Sequence, residues 1–404
     1  MISNSDILIV GGGLAGKAMA LCLDYHGIPS TVIEKSKVNN YEDDGRVIAL
    51  SNGSIRILKG LSLWQSLQPY IIPIKSIHIS IQGKFGSALI DAGKERVTEL
   101  GCSIPIQKLD DALVRALEKK KLISLINSVE IKSHRINESN FITLNAEIES
   151  KIKEFAPRLC IASDGMYSQI RTILGIESNV YDYQQTALTF SCSTSNPKYF
   201  MAFERFTNQG VLAVLPGQGD LYTVIWALSK DHAERLLSQS ESAVEDELAR
   251  YFGRRMGSLK ITGPIFHYPL VQSVSKEIIK NNVVLIGSSA LHLHPIAGQG
   301  YNLVLRDIAA LAEILNDQGD ALFKSASIPE CLDQYANWRK EDQLKVKNFT
   351  HILASYFINK PKFRANILSK SLFLLDFLPM AKSILSRHTM GLEGKTPRIM
   401  NGQN

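Results

Sequence analysis

The chain predicts an α/β fold: a parallel sheet wound with helices, an antiparallel β-sheet interleaved with it, and a helical C-terminal region. Three observations carry this. A short strand, a glycine-rich turn and a helix open the chain between Asp6 and Tyr25, and a second strand follows at Ser30 to Ile33, which is the spacing of a βαβ unit. From Thr186 to Leu228 runs of Val, Phe, Tyr and Thr are broken by Gly and Pro, the texture of an antiparallel sheet. From Cys331 to Phe357 the pattern turns helical.

Composition narrows the class. The 404 residues are enough for two cores, and 45% hydrophobic with 21% charged content describes a globular chain. A net charge of +6 is mild at this length and suits anionic cofactors or an anionic membrane surface. Nucleic acid would require a denser basic stripe, and none occurs. Cys22, Cys102, Cys160, Cys192 and Cys331 are widely spaced with no C-x-x-C pair, so they read as reduced core residues and not as a zinc or disulfide framework. Ile7 to Val10 runs straight into glycines with no basic stretch before it, unlike a secretory signal. No uncharged apolar run approaches the roughly 20 residues of a membrane span. The expectation is a soluble chain, at most held at a membrane surface.

In chain order, Gly11-Gly12-Gly13-Leu14-Ala15-Gly16 reads G-x-G-x-x-G between a strand and a helix. Gly11, Gly13 and Gly16 allow a tight turn, close approach of a pyrophosphate and close helix packing, while the helix N-terminus faces the phosphate charge. Glu34 ends the second strand about twenty residues further on, placed to accept ribose hydroxyls. This unit predicts dinucleotide binding, with Leu14, Ala15 and Lys35 beside the ligand. Arg46, alone, is an ordinary loop cation. Residues 76 to 90 alternate as a half-exposed strand, Leu109 to Leu117 reads as an amphipathic helix, and Ile123 to Ile131 as one strand. Asp164-Gly165 at a strand end reads as a turn. Glu204 and Arg205 read as a surface pair on the antiparallel sheet. Val283 to Ile286 is a buried strand bounded by Gly287, and Pro295 and Gly298-Gln299-Gly300 precede a helix beginning near Tyr301 and continuing from Asp307 to Leu315. Glycines flanking one polar residue before a helix put exposed N–H groups and a positive dipole end on one spot, which suits an electron-rich ligand edge. His292 and His294 form H-x-H, but no third ligand is suitably spaced, so no metal is expected.

The string His294-Pro295-Ile296-Ala297-Gly298-Gln299-Gly300-Tyr301-Asn302, with Arg306-Asp307 after it, closely resembles the signature of the flavin-dependent hydroxylases of ubiquinone biosynthesis. Other landmarks follow in order. Asp44-Gly45-Arg46 through Ala49-Leu50-Ser51 is similar to the family's D-x-R-x-x-A-L-S, and Ala162 to Arg171 is similar to A-D-G-x-x-S-x-x-R with Ser163 inserted in the string. Ala202 to Thr207 and Gly210 to Pro216 resemble the 2-polyprenyl-6-methoxyphenol hydroxylase branch. The resemblance implies a Rossmann-type FAD-binding domain with an interleaved antiparallel β-sheet substrate domain, in the manner of p-hydroxybenzoate hydroxylase, and a helical C-terminal tail. The division it implies is 1–75, 100–180 and 270–320 for FAD, 76–99 and 181–269 for the substrate sheet, and 321–404 for the tail.

In that family Arg46 lies near the flavin, Val129 passes beside the adenine, and Asp164 and Gly165 serve FAD and NAD(P)H. Gly287 and Ser288, then Pro295, Gly298, Gln299, Gly300 and Asn302, lie along the flavin. Two departures stand out: many relatives have Gly-Asp where this chain has Gly287-Ser288, the acid binding a ribityl hydroxyl, and glycine where this chain has Val304. The activity implied is hydroxylation of a polyprenylated phenol, with FAD resident, NAD(P)H a transient reductant and O₂ activated as a flavin C4a-hydroperoxide. The cofactor then carries the hard step and no catalytic side chain is assigned. A related flavin oxidoreductase is the alternative, although the halogenase signature W-x-W-x-I-P is absent and Trp226 stands alone. So is a catalytically weak flavin-binding component of a quinone-synthesis complex. Beyond Pro361, apolar residues including Phe363, Ile367, Leu372 and Phe377 are flanked by Lys362, Arg364 and Lys370. Such a face packs on its own domain or lies at a membrane surface, which places the chain in the cytoplasm, peripheral to the inner membrane in the second case.

Overall fold

The strand Ile7–Val10 divides its side chains between two cores, as the twofold period of a strand requires. Ile7 and Ile9 enter a cluster with the helices Leu14–Tyr25, Ile106–Leu117 and Gln299–Asp317. Leu8 and Val10 enter a second cluster on the opposite face, with Ile142, Leu144, Ala146 and Phe155. Both faces are therefore dry, which is why the run has no polar alternation. The computed structural model describes residues 6–37, 45–322, 327–356 and 379–402.

Ile7–Val10 pairs in parallel with Leu159–Ala162 and Ser30–Ile33, and the sheet extends to Val283–Leu285 on one side and Ile123–Ile126 on the other. Ile279–Lys280 closes one edge as an antiparallel strand. This is the parallel, helix-wound sheet expected of the opening unit. The second face is covered by a three-stranded antiparallel sheet of Glu130–Ile136, Ile142–Ile148 and Lys151–Phe155. The single strand expected from Ile123 to Ile131 is in fact two strands in different sheets, because Ser128 turns the chain with φ 58°. The alternation of Ile123 and Leu125 resumes in phase at Val129 and Ile131 beyond the polar pair Asn127-Ser128, which hid that break.

A larger sheet of nine strands forms the second layer. Its order is Leu291–His292, Phe266–Ser275, Ser178–Thr194, Leu221–Ser229, Val211–Pro216, Met201–Phe206, Ser76–Ile81 and Ser87–Asp91, with Leu259–Ile261 beside Ser178–Thr194. Residues 76–90 are thus a hairpin rather than one strand, turned through Gly83 and Gly86 at positive φ. One neighbour pair, Ser76–Ile81 with Met201–Phe206, is parallel, since the two strands come from separate excursions of the chain. The sheet also reaches beyond residue 269, to Ser275 and then to Leu291–His292. Its outer face packs Leu188, Trp226 and Leu228 against the helices Lys230–Leu237 and Glu241–Phe252. Its inner face looks toward the parallel sheet.

Two long helices follow, and a shorter one, Pro379–Thr389, comes last among the described α-helices. Gln299–Asp317 is buried along most of its length, and Ser327–Tyr356 packs along it. Its buried charges are paired: Asp307 accepts from Arg339 Nε at 2.6 Å and from Gln343 Nε2 at 2.9 Å, and Arg306 Nε donates to Asp342 at 2.9 Å. The five cysteines are free and buried. Among the described residues no helix is long and apolar enough to cross a membrane. The basic and apolar stretch of the tail, from Lys362 to Phe377, lies outside the described residues.

Candidate flavin and substrate site

The two sheets enclose one cavity of about 1050 Å³. The Gly11–Gly16 turn and the Pro295–Gly300 loop both open into it, although most of the chain separates them. Of the residues assigned from sequence, Gly11, Gly13, Leu14, Ala15, Glu34, Lys35, Arg46, Val129, Asp164, Gly165, Gly287, Ser288, Pro295, Gly298, Gln299, Gly300 and Asn302 all line it. Gly16 does not. It sits beneath the turn, where an added Cβ would fall 1.9 Å from the Gly11 carbonyl oxygen, so its part is close packing of helix on strand.

The glycine turn is built for close approach. Gly11 has φ +101°, and a Cβ there would lie 2.6 Å from the Ser163 carbonyl oxygen. Ser163 Oγ in turn donates toward the carbonyls of Val10 and Gly11, at 3.0 and 2.8 Å, bracing the strand end. Gly12, an unspecified position of the fingerprint, donates its N–H to Glu34 Oε2 at 2.6 Å, and Ser36 N–H donates to Oε1 at 2.8 Å. Glu34 is thereby fixed with acceptor capacity left on both oxygens. Val129 N–H donates to the Glu34 backbone carbonyl at 2.9 Å, which seats Val129 at this end of the cavity.

Asp164 lies further along. Its Oδ2 accepts the Ile170 N–H at 3.1 Å, while Oδ1 is buried with no partner. Burial raises its pKa, partly offset by hydrogen bonds from Ser168 and nearby backbone. A buried carboxylate oxygen without a partner is costly, and a ligand hydroxyl would satisfy it. Arg46 lies over the ring of Tyr268, 5.0 Å from its centroid. Ser288 Oγ is 3.2 Å from His292 Nδ1. Val304 packs where glycine was expected: its methyls stand 3.7 and 3.9 Å from the Cβ position of Gly287, filling the space beside that turn.

The Pro295–Gly300 loop carries two consecutive left-handed residues, Ala297 at φ 57° and Gly298 at φ 59°. This turns the chain into the helix that starts at Gln299, and so aims the helix N-terminus at the cavity. Gln299 Nε2 donates to Ala297 O and Thr389 O, each at 3.1 Å, leaving its buried Oε1 without a partner. Asn302, assigned to the cofactor, spends its amide on the protein itself: Oδ1 accepts from Ser51 N–H and Ser54 Oγ, and Nδ2 donates to Ala49 O and Gly298 O. His294 is buried beside Tyr183, its Nδ1 accepting the Ile296 N–H at 3.2 Å, and burial lowers its pKa to about 4. Among the described residues no group of three or more His, Cys, Asp or Glu is placed to hold a metal.

Glu204 is not the surface residue that its pairing with Arg205 suggested. Ala202, Glu204 and Phe206 share the inner face of their strand and line the cavity. Arg205 points outward, donating to Tyr251 O at 2.7 Å and Ser80 Oγ at 3.1 Å. Glu204 Oε1 accepts the Ala297 N–H at 3.1 Å, and burial raises its pKa to about 7. Strand parity from Phe206 could have placed it; composition could not. Also beyond sequence reasoning were the cavity walls contributed by Phe349, Leu353, Leu385 and Thr389 of the C-terminal helices and by Met390 just after the last of them.

These residues fit FAD. A glycine turn on a helix N-terminus, a fixed acid at the end of the second strand, and the residues Asp164 and Gln299, each with an unpartnered buried oxygen, all line one cavity. The FAD binding domain family matches residues 4–349. The chain is 29% identical to ubiquinone hydroxylase UbiL of Rhodospirillum rubrum over 98% of this chain and 93% of that one. It is also 29% identical to 3-demethoxyubiquinol 3-hydroxylase of Escherichia coli over 77% of this chain and 79% of that one. In fold it matches the FAD-dependent monooxygenase PqsL of Pseudomonas aeruginosa, with a TM-score of 0.76, 18% identity and coverage of 92% of this chain and 99% of that one. A p-nitrophenol 4-monooxygenase of Pseudomonas putida matches with a TM-score of 0.74 and 16% identity, over 96% of this chain and 98% of that one. The chain belongs to the FAD binding domain family and, within it, to the FAD-dependent hydroxylases that include those of ubiquinone biosynthesis.

Proposed function

We propose that this protein hydroxylates the aromatic ring of a polyprenylated phenol on the way to ubiquinone, with FAD resident, NAD(P)H visiting as reductant and O₂ as the oxygen source. The observation that carries the reading is the single cavity with two unlike ends. One end is a dinucleotide cradle. The other is walled by Ile77, Ile79, Phe206, Val211, Leu215 and Ile225 and suits an apolar substrate.

FAD, when bound, supplies reduction by hydride and activation of O₂. The chain's own residues supply position and dryness. The Gly11–Gly16 turn and the helix at Leu14 would hold the pyrophosphate, Glu34 the ribose, and Asp164 a hydroxyl of the linker. The Pro295–Gly300 loop would offer backbone N–H groups to the ring, where preformed dipoles act without reorganisation. The residue division 1–75, 100–180 and 270–320 for FAD, with 76–99 and 181–269 for substrate, belongs to this reading, the strand edges near 178 and 275 being shared. Association of the tail with a membrane surface, and membership of a multi-enzyme complex, would bring a lipid-tailed substrate to the cavity.

The test is NAD(P)H oxidation by the purified yellow protein, with and without a prenylated phenol, followed by mass analysis of the product. The reading requires stimulation by the phenol and a product heavier by one oxygen. A flavin that is reduced equally fast without phenol, giving only peroxide, would point instead to an oxidoreductase of another substrate.

A further inference from the structure

We propose that Glu204 is a catalytic residue, the group that takes the proton from the phenol oxygen of the substrate in this cavity. This rests on the reading above that the substrate is a phenol.

Glu204 is the only carboxylate that the nine-stranded sheet contributes to the cavity wall. Among the described residues the other two acids on the wall, Glu34 and Asp164, stand at the glycine-turn end and hold backbone N–H groups of Gly12, Ser36 and Ile170. Glu204 stands at the opposite end, on the apolar roof between Ala202 and Phe206 and across from Ala213. One of its oxygens is anchored. Oε1 accepts the Ala297 N–H at 3.1 Å, which ties the carboxylate to the loop that the reading above sets against the flavin ring. Oε2 makes no hydrogen bond among the described residues, and it is not among the sealed, unpartnered atoms. It therefore faces the cavity with its lone pairs free. No cation forms a salt bridge with Glu204 among the described residues, so nothing holds it permanently ionised or permanently occupied.

The chemistry gives such a group work. Oxygen transfer to an aromatic carbon requires an electron-rich ring, and a phenolate is richer than a phenol. In the step assigned here the phenol O–H bond breaks, its proton bonds to Glu204 Oε2, and the electron pair remains on the phenolate oxygen. No oxidation state changes. Transfer is most efficient when the acceptor's pKa lies near the working pH, and burial has brought Glu204 to about 7. Among the described residues the other titratable groups lining the cavity, besides Glu34 and Asp164, are Lys35, Arg46, Tyr167, His292, His294 and Tyr301. Burial lowers both histidines, His294 to about 4, so they stay neutral where Glu204 titrates. Arg205, next to Glu204 on the same strand, and His78, on the neighbouring strand Ser76–Ile81, do not line the cavity; Arg205 bonds Tyr251 O and His78 meets Arg255.

The experiment uses FAD-loaded protein with no NAD(P)H, so that nothing turns over. The chromophoric probe 4-nitrophenol is titrated into the wild type, Glu204→Gln and Glu204→Asp across pH about 5 to 9, with the phenolate band and the net proton exchange with buffer both recorded. In the wild type, near neutrality, the phenolate band is expected to appear on binding without proton release, because Glu204 keeps the proton. Glu204→Gln is expected to bind the probe either as neutral phenol or with a proton released to buffer, and Glu204→Asp to restore the wild-type behaviour in part. In turnover Glu204→Gln should lose about 10²–10⁴-fold in hydroxylation while reduction of the flavin by NAD(P)H is retained. The same phenolate band and the same proton count in wild type and Glu204→Gln would overturn the role of Glu204 and leave the proposed function standing. Failure of the wild type to bind either 4-nitrophenol or a prenylated phenol would remove both.

Discussion

Asn302 Oδ1 accepts the backbone N–H of Ser51 at 2.7 Å across 251 residues of sequence. The same side chain reaches Ser54 Oγ at 2.7 Å, Ala49 O at 2.8 Å and Gly298 O at 2.6 Å, so both ends of its amide are fully used. It locks the loop Pro295–Gly300 to the strand Val47–Ser51, and both line the cavity. Replacing Asn302 with Ala should strand buried donors and acceptors at about 1–3 kcal/mol for each group left unpaired. Thermal unfolding should show the loss, and FAD should dissociate more readily from the folded fraction.

The two ends of the glycine fingerprint should fail differently. Gly16→Ala puts a Cβ 1.9 Å from the Gly11 carbonyl oxygen, within the packing of helix on strand, so little folded protein is expected by circular dichroism. Gly13→Val changes the residue that caps the helix in extended conformation and faces the cavity. That variant should fold yet emerge colourless, lacking the flavin absorption bands. A yellow, fully loaded Gly13→Val would remove the pyrophosphate from this turn.

Glu204 gives stability a pH dependence with a definite sign. Its folded pKa, about 7, lies above the ordinary glutamate value of 4.5 because the carboxyl is buried. The folded state therefore favours the protonated acid, a contribution fully present below the unfolded pKa and lost as pH rises from about 4.5 through about 7. Glu204→Gln cannot ionise, so it should melt higher than the wild type above pH about 7 by on the order of 1–3 kcal/mol, with the difference closing toward pH about 4. Parallel melting curves at every pH would contradict the burial of this carboxylate.

The ion network behind the loop should be intolerant of half-removal. Arg339→Leu leaves Asp307 buried without the guanidinium that now lies 2.6 Å away. The expected cost is about 3–5 kcal/mol by denaturant unfolding. Removing Lys345, whose partners Glu341 and Glu393 are exposed, should cost less than about 1 kcal/mol.

Sequence alone went a long way with the backbone of the site and less far with its side chains. The glycine turn, Glu34, Asp164-Gly165 and the Gly298-Gln299-Gly300 loop are local patterns, each set by a strand, a turn and a helix start within a few residues. Glu204 was misread because pairing along the sequence, Glu beside Arg, says nothing of which face each occupies. Parity decides that, and parity needs the register fixed by Phe206 against Val211. Asn302 lines the cavity as expected, but its bonds to Ala49, Ser51 and Ser54 were illegible because those three partners lie about 250 residues away. Ser128 escaped because the apolar alternation resumes in phase at Val129 after the left-handed residue, so the polar pair Asn127-Ser128 did not read as a break. The cavity wall at Leu385 to Met390 is a tertiary fact, set by where the last helix docks.

The account depends most on one geometric proposition, that a single FAD molecule spans from the Gly11–Gly16 turn to the Pro295–Gly300 loop. The direct measurement is an electron-density map of the FAD-bound protein. The account predicts the pyrophosphate against Gly13 and the Leu14 helix start, the ribose on Glu34, and the flavin ring beside Gly298 to Gly300 with Glu204 across from it. Density that places the flavin ring away from that loop, or the pyrophosphate away from Gly13, would contradict it.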